Sequence, residues 1–239
     1  MKKYLKSHTF DNDLIYEAIM GPSPLYFAEE LGETMRLEKG MKVLDLGCGM
    51  GLSSLFLAKE YGVTVFAADL WIEAADNLKR IRRMGLEDKI IPIHADANNL
   101  PFADGYFDAL VCIDSYQYYG IETSDFFKNK IAKLLKPKAQ LGFAFAGFSV
   151  DLPEMPKWLL KYFLDDGSSD FHGLDWWKNH FESTGLVNIT DAHLVEDGRE
   201  IWYEWAKIAR ERNNFDDDKM LDSDKDKILA LMTLTMQLK

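Results

Sequence analysis

Residues 43–51 read VLDLGCGMG. Val43, Leu44 and Leu46 belong to an apolar run that starts near Met41, the signature of a buried strand. Glycines follow at 47, 49 and 51, and then helical spacing sets in at Leu52, Leu55 and Phe56. Glycine lets a backbone turn sharply and pass close to a ligand with no Cβ in the way. The helix start behind it offers N–H groups and a partial positive charge to that ligand. This order predicts a nucleotide-like cofactor site. The dinucleotide fingerprint needs a glycine at position 52, where the chain has Leu52. The spacing therefore argues against NAD and FAD.

The alternation continues outward. VTVFAAD (63–69), KIIPIHAD (89–96), YFDALVCID (106–114) and AQLGFAFAG (139–147) read as four further strands. Pro92 puts the second of these at or near an edge. LSSLFLAKEYG (52–62) and IEAADNLKRIRRMG (72–85) carry helical spacing. SDFFKNKIAKLLKP (124–137) reads as a helix with Phe127, Ile131, Leu134 and Leu135 on one face, stopped by Pro137. The polar run at 97–105 reads as a loop. Such alternation predicts βαβ units and a parallel sheet covered on both faces.

Beyond Gly147 the pattern changes. Two aromatic-rich helical stretches (152–167 and 174–185), a strand at 186–194, a helix over about 199–212 and an acidic loop at 213–226 are expected. At the end, Met232, Leu234, Met236 and Leu238 alternate with polar residues. That period of two makes the last segment a strand that must pair into the sheet. Near the front, Ser23 and Pro24 read as the N-cap and first residue of a helix.

A chain of 239 residues, 47% apolar and 28% charged, suits one soluble domain. We expect an N-terminal helical lid (1–40), a cofactor-binding half (41–147) and a substrate-side half (148–239) with a helical insertion at about 196–227. No apolar run approaches a membrane span, and MKKYLKSHTFDND lacks the apolar core of a secretory signal. Cys48 and Cys112 lie in apolar surroundings, as free thiols do in a reducing compartment, so a cytoplasmic protein is expected. The net charge of −11 disfavours a nucleic-acid partner. The basic cluster KRIRR (79–83) reads as a solvated helix face. The oligomeric state is left open.

Acids stand at the ends of neighbouring strands, where open α/β sheets bind ligands. Asp69, followed by Leu70 and Trp71, can accept two hydrogen bonds from a ribose diol. Asp96 can accept from an adenine amino group, with the Ala97 N–H near a ring nitrogen, and Asp45 completes the set. Together VLDLGCGMG, FAADL and HADANNLPFADGYFDALVCID resemble the first motifs of class I S-adenosylmethionine-dependent methyltransferases. The likeness is nearest to the small-molecule branch that includes quinone-biosynthesis and cyclopropane-fatty-acid-type enzymes. It covers residues 40–147 closely and the remainder loosely.

The resemblance implies a Rossmann-like, seven-stranded, mostly parallel sheet with helices on both faces and an antiparallel C-terminal strand. It implies S-adenosyl-L-methionine as cofactor. Asp45, Gly47, Cys48 (through its backbone) and Gly49 would hold the methionine part, and Asp69 the ribose. Leu70 would pack on adenine, Asp96 and Ala97 would read its edge, and Ile113–Asp114 would anchor the amino group. Two departures stand out: Lys138 and Ala139 replace a frequent glycine pair, and 196–227 is long for the family.

Methyl transfer from a sulfonium is an in-line displacement, which depends chiefly on positioning. A general base is optional, and no catalytic residue is assigned. The histidines are scattered and show no metal-ligand spacing. CIDSYQYYG (112–120) carries a core strand into polar and aromatic residues. Tyr118 and Tyr119 there line a substrate pocket or pack the loop. His172 faces the substrate or serves a helix start. Of Trp176 and Trp177, one is core and the other, taken here as Trp176, is a pocket candidate. The expected function is methyl transfer to a small molecule. A non-catalytic cofactor-binding module and cyclopropane-synthase-like lipid alkylation are the alternatives, the latter disfavoured by the lack of a basic amphipathic surface helix.

Overall fold

Apolar runs with little polar alternation become parallel strands buried on both faces. These are β1 (Lys42–Leu46), β2 (Thr64–Asp69), β3 (Ile90–His94), β4 (Phe107–Ile113) and β5 (Leu135–Phe148). β6 (Val187–Leu194) and β7 (Leu229–Leu238) complete a seven-stranded sheet in the order β3-β2-β1-β4-β5-β7-β6, with β7 antiparallel to both neighbours. The computed structural model describes residues 4–119, 124–162, 171–213 and 215–239. Pro92 lies in edge strand β3, as expected.

Successive side chains of a strand point to opposite faces. Val43, Val65, Val111 and Ala144 therefore meet one layer, formed by α1 (Asn12–Ala18), α2 (Pro24–Thr34), α3 (Leu52–Tyr61) and α6 (Gly198–Asn213). Leu44, Leu110, Phe143 and Phe145 meet the other, which holds Trp177 and Phe181 of α5 (Leu174–Glu182). The helix α4 (Ala74–Arg83) packs Ile81 into the first layer and turns KRIRR largely outward. A Cβ on Gly142 would stand 2.5 Å from Met35 Sδ, so that glycine lets the chain after α2 close onto β5. Among the described residues, no helix is long and apolar enough to cross a membrane.

The C-terminal strand pairs into the sheet as its period requires, and its two threonines are buried as well. Thr235 Oγ1 lies 3.1 Å from Thr190 Oγ1, and Thr233 Oγ1 lies 3.3 Å from His193 Nε2. His193 Nδ1 in turn lies 2.6 Å from Asp191 Oδ2, and its Nε2 lies 3.4 Å from Glu30 Oε2 of α2.

Four local expectations need correction. The helix over 124–137 is a single wide turn at Phe127–Ile131, a tight turn at Ala132–Leu134, and then β5 from Leu135. The backbone N–H groups of Gly105 and Tyr106 bond Lys133 O and Leu134 O (both 2.8 Å), which draws the segment into the sheet before Pro137. Pro137 falls in a register shift between β4 and β5, where a missing N–H costs least. At 152–167 the described part holds a short turn at Leu160–Tyr162, because Pro153 and Pro156 deny a continuous helix its donors. Residues 163–167 lie outside the described residues. The acidic loop at 213–226 contains a helix, α7 (Asp217–Ser223), anchored by buried Met220 and Leu221. Asp217 and Asp218 sit in its first turn, where the helix dipole favours them. Finally, Pro24 opens α2 as expected, but Ser23 adopts φ +46° and makes no side-chain cap. Its Oγ points to Ile201 O of α6 at 3.5 Å.

Buried Asp224 ties α6 to the start of β7. It accepts from the N–H groups of Ile228 (3.0 Å) and Leu229 (2.9 Å) and pairs with Arg199. Asp224→Ala leaves a cation and two donors without their partner, so urea denaturation should record a loss of about 2–4 kcal/mol.

Candidate active site

The chain leaves β1 towards β2 and returns later to place β4 on the other side of β1, which opens a crevice at their carboxyl ends. Gly47 turns there with φ +70°, and an added Cβ would lie 2.1 Å from Ser115 Oγ and 2.6 Å from the Tyr119 hydroxyl. Ser115 Oγ donates to Leu46 O (2.9 Å) and lies 3.1 Å from both Tyr119 Oη and Cys112 Sγ. The turn's own donors are largely engaged. Gly47 and Cys48 N–H bond Ala68 O (2.9 and 3.1 Å), and Gly49 N–H bonds Asp69 Oδ2 (2.8 Å). The turn thus offers a ligand close approach more than a row of free N–H groups.

A cavity of about 610 Å³ opens at this crevice. Gly47, Cys48, Gly49, Asp69, Leu70, Asp96, Ala97, Asp114, Tyr118 and Tyr119 all lie in its wall. Asp69 Oδ1 accepts from the N–H groups of Trp71 (2.8 Å) and Ile72 (3.0 Å). With Gly49 on Oδ2, a diol binding both oxygens has to displace one of these bonds. Asp96 Oδ1 accepts from Asn98 N (2.8 Å) and Nδ2 (3.1 Å), leaving Oδ2 for a ligand donor. Leu70 and Trp71 are exposed at the rim, and Trp71 meets Tyr118 edge-on at 5.6 Å. Asp45 is set back from the wall. Its Oδ2 accepts from Ser53 Oγ (2.7 Å) and Ser54 Oγ (2.5 Å), its Oδ1 has no partner, and it fixes the start of α3 behind the glycine turn.

Residues 43–138 match the family model described as a methyltransferase domain. Methyltransferase GfsG of Streptomyces halstedii is 36% identical over 119 residues, 48% of this chain and 41% of that protein. The segment from Val43 to Lys138 is therefore similar to a methyltransferase domain. The fold of the chain agrees with the geranyl diphosphate C-methyltransferase of Streptomyces coelicolor A3(2), solved with Mg2+, geranyl-S-thiolodiphosphate and S-adenosyl-L-homocysteine. That structure has TM-score 0.71 and 14% identity, and covers 88% of this chain and 74% of that one. The SpnF cyclase has TM-score 0.68 and 18% identity, covering 88% and 78%. The matches span between 21% and 41% of the curated relatives' own lengths.

The far side of the cavity comes from segments outside the matched region. Trp202, Trp205, Ala206 and Ala209 of α6 share one face at helical spacing and line it. The link between α1 and α2 adds Met20, Gly21 and Pro22. The Asn213 side chain bonds Ile19 O at 3.0 Å, tying the link to α6. His172 and Trp176 are absent from this wall. Their rings stack at 3.6 Å, and Trp176 stacks further on His180 at 5.2 Å, on the α5 side of the sheet. Trp177 is buried against Phe145 at 3.9 Å, and fully buried Tyr116 reaches His180 Nε2 at 3.2 Å. Sequence reading passed over Asp217, Gln117, Trp202 and Trp205, all in the wall. The spacing of 202, 205, 206 and 209 was the available signal. Among the described residues, no group of three His, Cys, Asp or Glu side chains converges as a metal site.

Burial pushes the Cys48 and Cys112 thiols up, so both stay neutral. Asp114 turns the chain at φ +47° and is raised to about 7, by burial first. Burial also raises Asp45 to about 6, against the pull of Ser54 and Ser53. A raised carboxyl favours the fold while protonated. Its contribution is complete below about pH 4 and is lost as pH rises through about 6, a difference of roughly 3 kcal/mol. Asp45→Asn should therefore flatten the fall in unfolding free energy between about pH 4 and 6, measured by urea titration, leaving the share of Asp114.

Proposed function

We propose that the protein transfers a methyl group from S-adenosylmethionine to a small-molecule acceptor. The observation that carries this reading is the joint presence of the Gly47–Gly49 turn, Asp69 and Asp96 on one cavity wall. Gly47 leaves room for Ser115 Oγ and the Tyr119 hydroxyl, which hold the turn in place beside the position of a cofactor's methionine end. Asp69 receives the ribose hydroxyls, Leu70 covers the adenine, and Asp96 with Ala97 takes its edge. When bound, the cofactor supplies an electrophilic methyl group on a sulfonium. Asp45 acts through Ser53 and Ser54 by fixing the helix start behind the turn. The Ile113–Asp114 backbone lies where it can hold the amino group. The α1–α2 link, bonded to α6, covers the site and keeps water from it.

The fold alone does not fix this chemistry, since SpnF, described as a cyclase, shares it. Incubation with methyl-labelled S-adenosylmethionine and a small-molecule extract should label a product. Binding without labelling would favour a cofactor-binding module. Asp69→Ala should weaken S-adenosylmethionine by about 1.5–3 kcal/mol, the range for hydrogen bonds to a charged group. Calorimetry finding unchanged affinity in a folded variant would remove Asp69 from the ribose site.

A further inference from the structure

The acceptor end of the cavity has a definite charge character. Five aspartates stand in the wall, and among its described residues there is no Lys, Arg or His. Asp69 and Asp96 belong to the glycine-turn end. Asp216 is matched by Lys219 Nζ at 2.9 Å and Arg210 at 3.3 Å. Among the described residues, Asp114 and Asp217 have no cation beside them. Asp114 Oδ1 accepts from Gln117 Nε2 (3.1 Å) and Ala146 N (3.4 Å), and Asp217 Oδ2 accepts from Trp202 Nε1 (2.9 Å). That leaves one oxygen of each carboxylate unbonded among the described residues.

Two further polar atoms in the same wall are buried and unpartnered: Gln117 Oε1, on a residue 6% exposed, and Trp205 Nε1, on one 4% exposed. A buried polar group without a partner is costly, and a ligand that supplies the partner recovers that cost. Three of the four open positions are acceptors. The ligand they fit donates several hydrogen bonds from a positive centre, beside indole rings that favour a cation. A carboxylate or phosphate acceptor would meet only like charge.

We propose that the methyl acceptor is an amine, bound as its ammonium form by Asp114, Asp217 and the Gln117 carbonyl against the ring of Trp202. This rests on the methyl-transfer reading of the site. An ammonium must lose a proton before it can attack. The N–H bond breaks and an O–H bond forms on Asp114. The freed nitrogen pair then makes the N–C bond as the C–S bond of the sulfonium breaks, its pair passing to sulfur, which becomes a neutral thioether. The methylated nitrogen carries the positive charge, and Asp114 later loses its proton to water. Burial and the nearby Asp217 charge hold the Asp114 carboxyl at about 7, a value at which it can both accept and release that proton.

The test uses the full chain saturated with S-adenosylhomocysteine and a panel of alkyl and arylalkyl amines, each with its alcohol and carboxylate isostere and with Mg2+–geranyl diphosphate as an anionic control. Binding is read by calorimetry and by quenching of tryptophan fluorescence. The expected result is at least one amine bound ten-fold or more tighter than its isosteres and than the diphosphate. Asp217→Asn, which keeps an acceptor for Trp202, should reduce that preference at least ten-fold with S-adenosylhomocysteine affinity unchanged. If Asp217→Asn fails to fold, Asp114→Asn should reduce the ratio of amine to isostere affinity at least ten-fold. S-adenosylhomocysteine binding with no amine preference, or with a preference insensitive to the folded variants, overturns the amine assignment alone. Failure to bind S-adenosylhomocysteine overturns the methyl-transfer reading on which it stands.

Discussion

The site depends on the absence of a side chain at residue 47. The Gly47 Cα faces Ser115 Oγ so closely that a methyl group has no room, and Ser115 uses that closeness to bond Leu46 O. One hydroxyl thereby joins the end of β1 to the turn after β4 at the point where the sheet divides. Tyr119 adds its own hydroxyl to the same knot. The left-handed turn at Asp114 lies beside the left-handed turn at Gly47, two unusual backbone conformations held by one contact.

Charge is handled differently at the two ends of the cavity. At the glycine turn the carboxylate of Asp69 accepts from three backbone N–H groups, which order the loop after β2. At the other end Asp114 and Asp217 are enclosed with few donors, so burial dominates and both carboxyls move up. The same residue type orders a loop in one place and is raised by burial in the other, according to the N–H groups around it.

The strands and the glycine turn were legible in the sequence because buried parallel strands leave continuous apolar runs with little else to confuse them. The acids at 69, 96 and 114 came with them, since topology places strand ends together. Local spacing failed where long-range contacts overruled it. Phe127 and Ile131 do face the core, yet sheet bonds from Gly105 and Tyr106 to Lys133 and Leu134 pull the chain out of helical form there. In α7 two apolar residues among many acids carry the helix, too few to show as a period. His172 and Trp176 were placed by chain order near a substrate, but ring stacking on α5 holds them against the opposite layer. The second acidic and aromatic wall was invisible because α6 and the α1–α2 link meet only after folding.

The cavity is stitched from two kinds of chain. Its floor comes from residues 46–119, within the segment shared with relatives, and its roof from the α1–α2 link, from Ala146, Tyr162 and Phe171, and from α6 and α7. The two parts meet across side chains, so the roof can be remodelled without disturbing the turn and carboxylates beneath it. Descent can thus preserve the methyl donor's seat while exchanging the molecule that receives the methyl. Kinship in residues 43–138 is informative about the donor and nearly silent about the acceptor, which is inherited in the flanks.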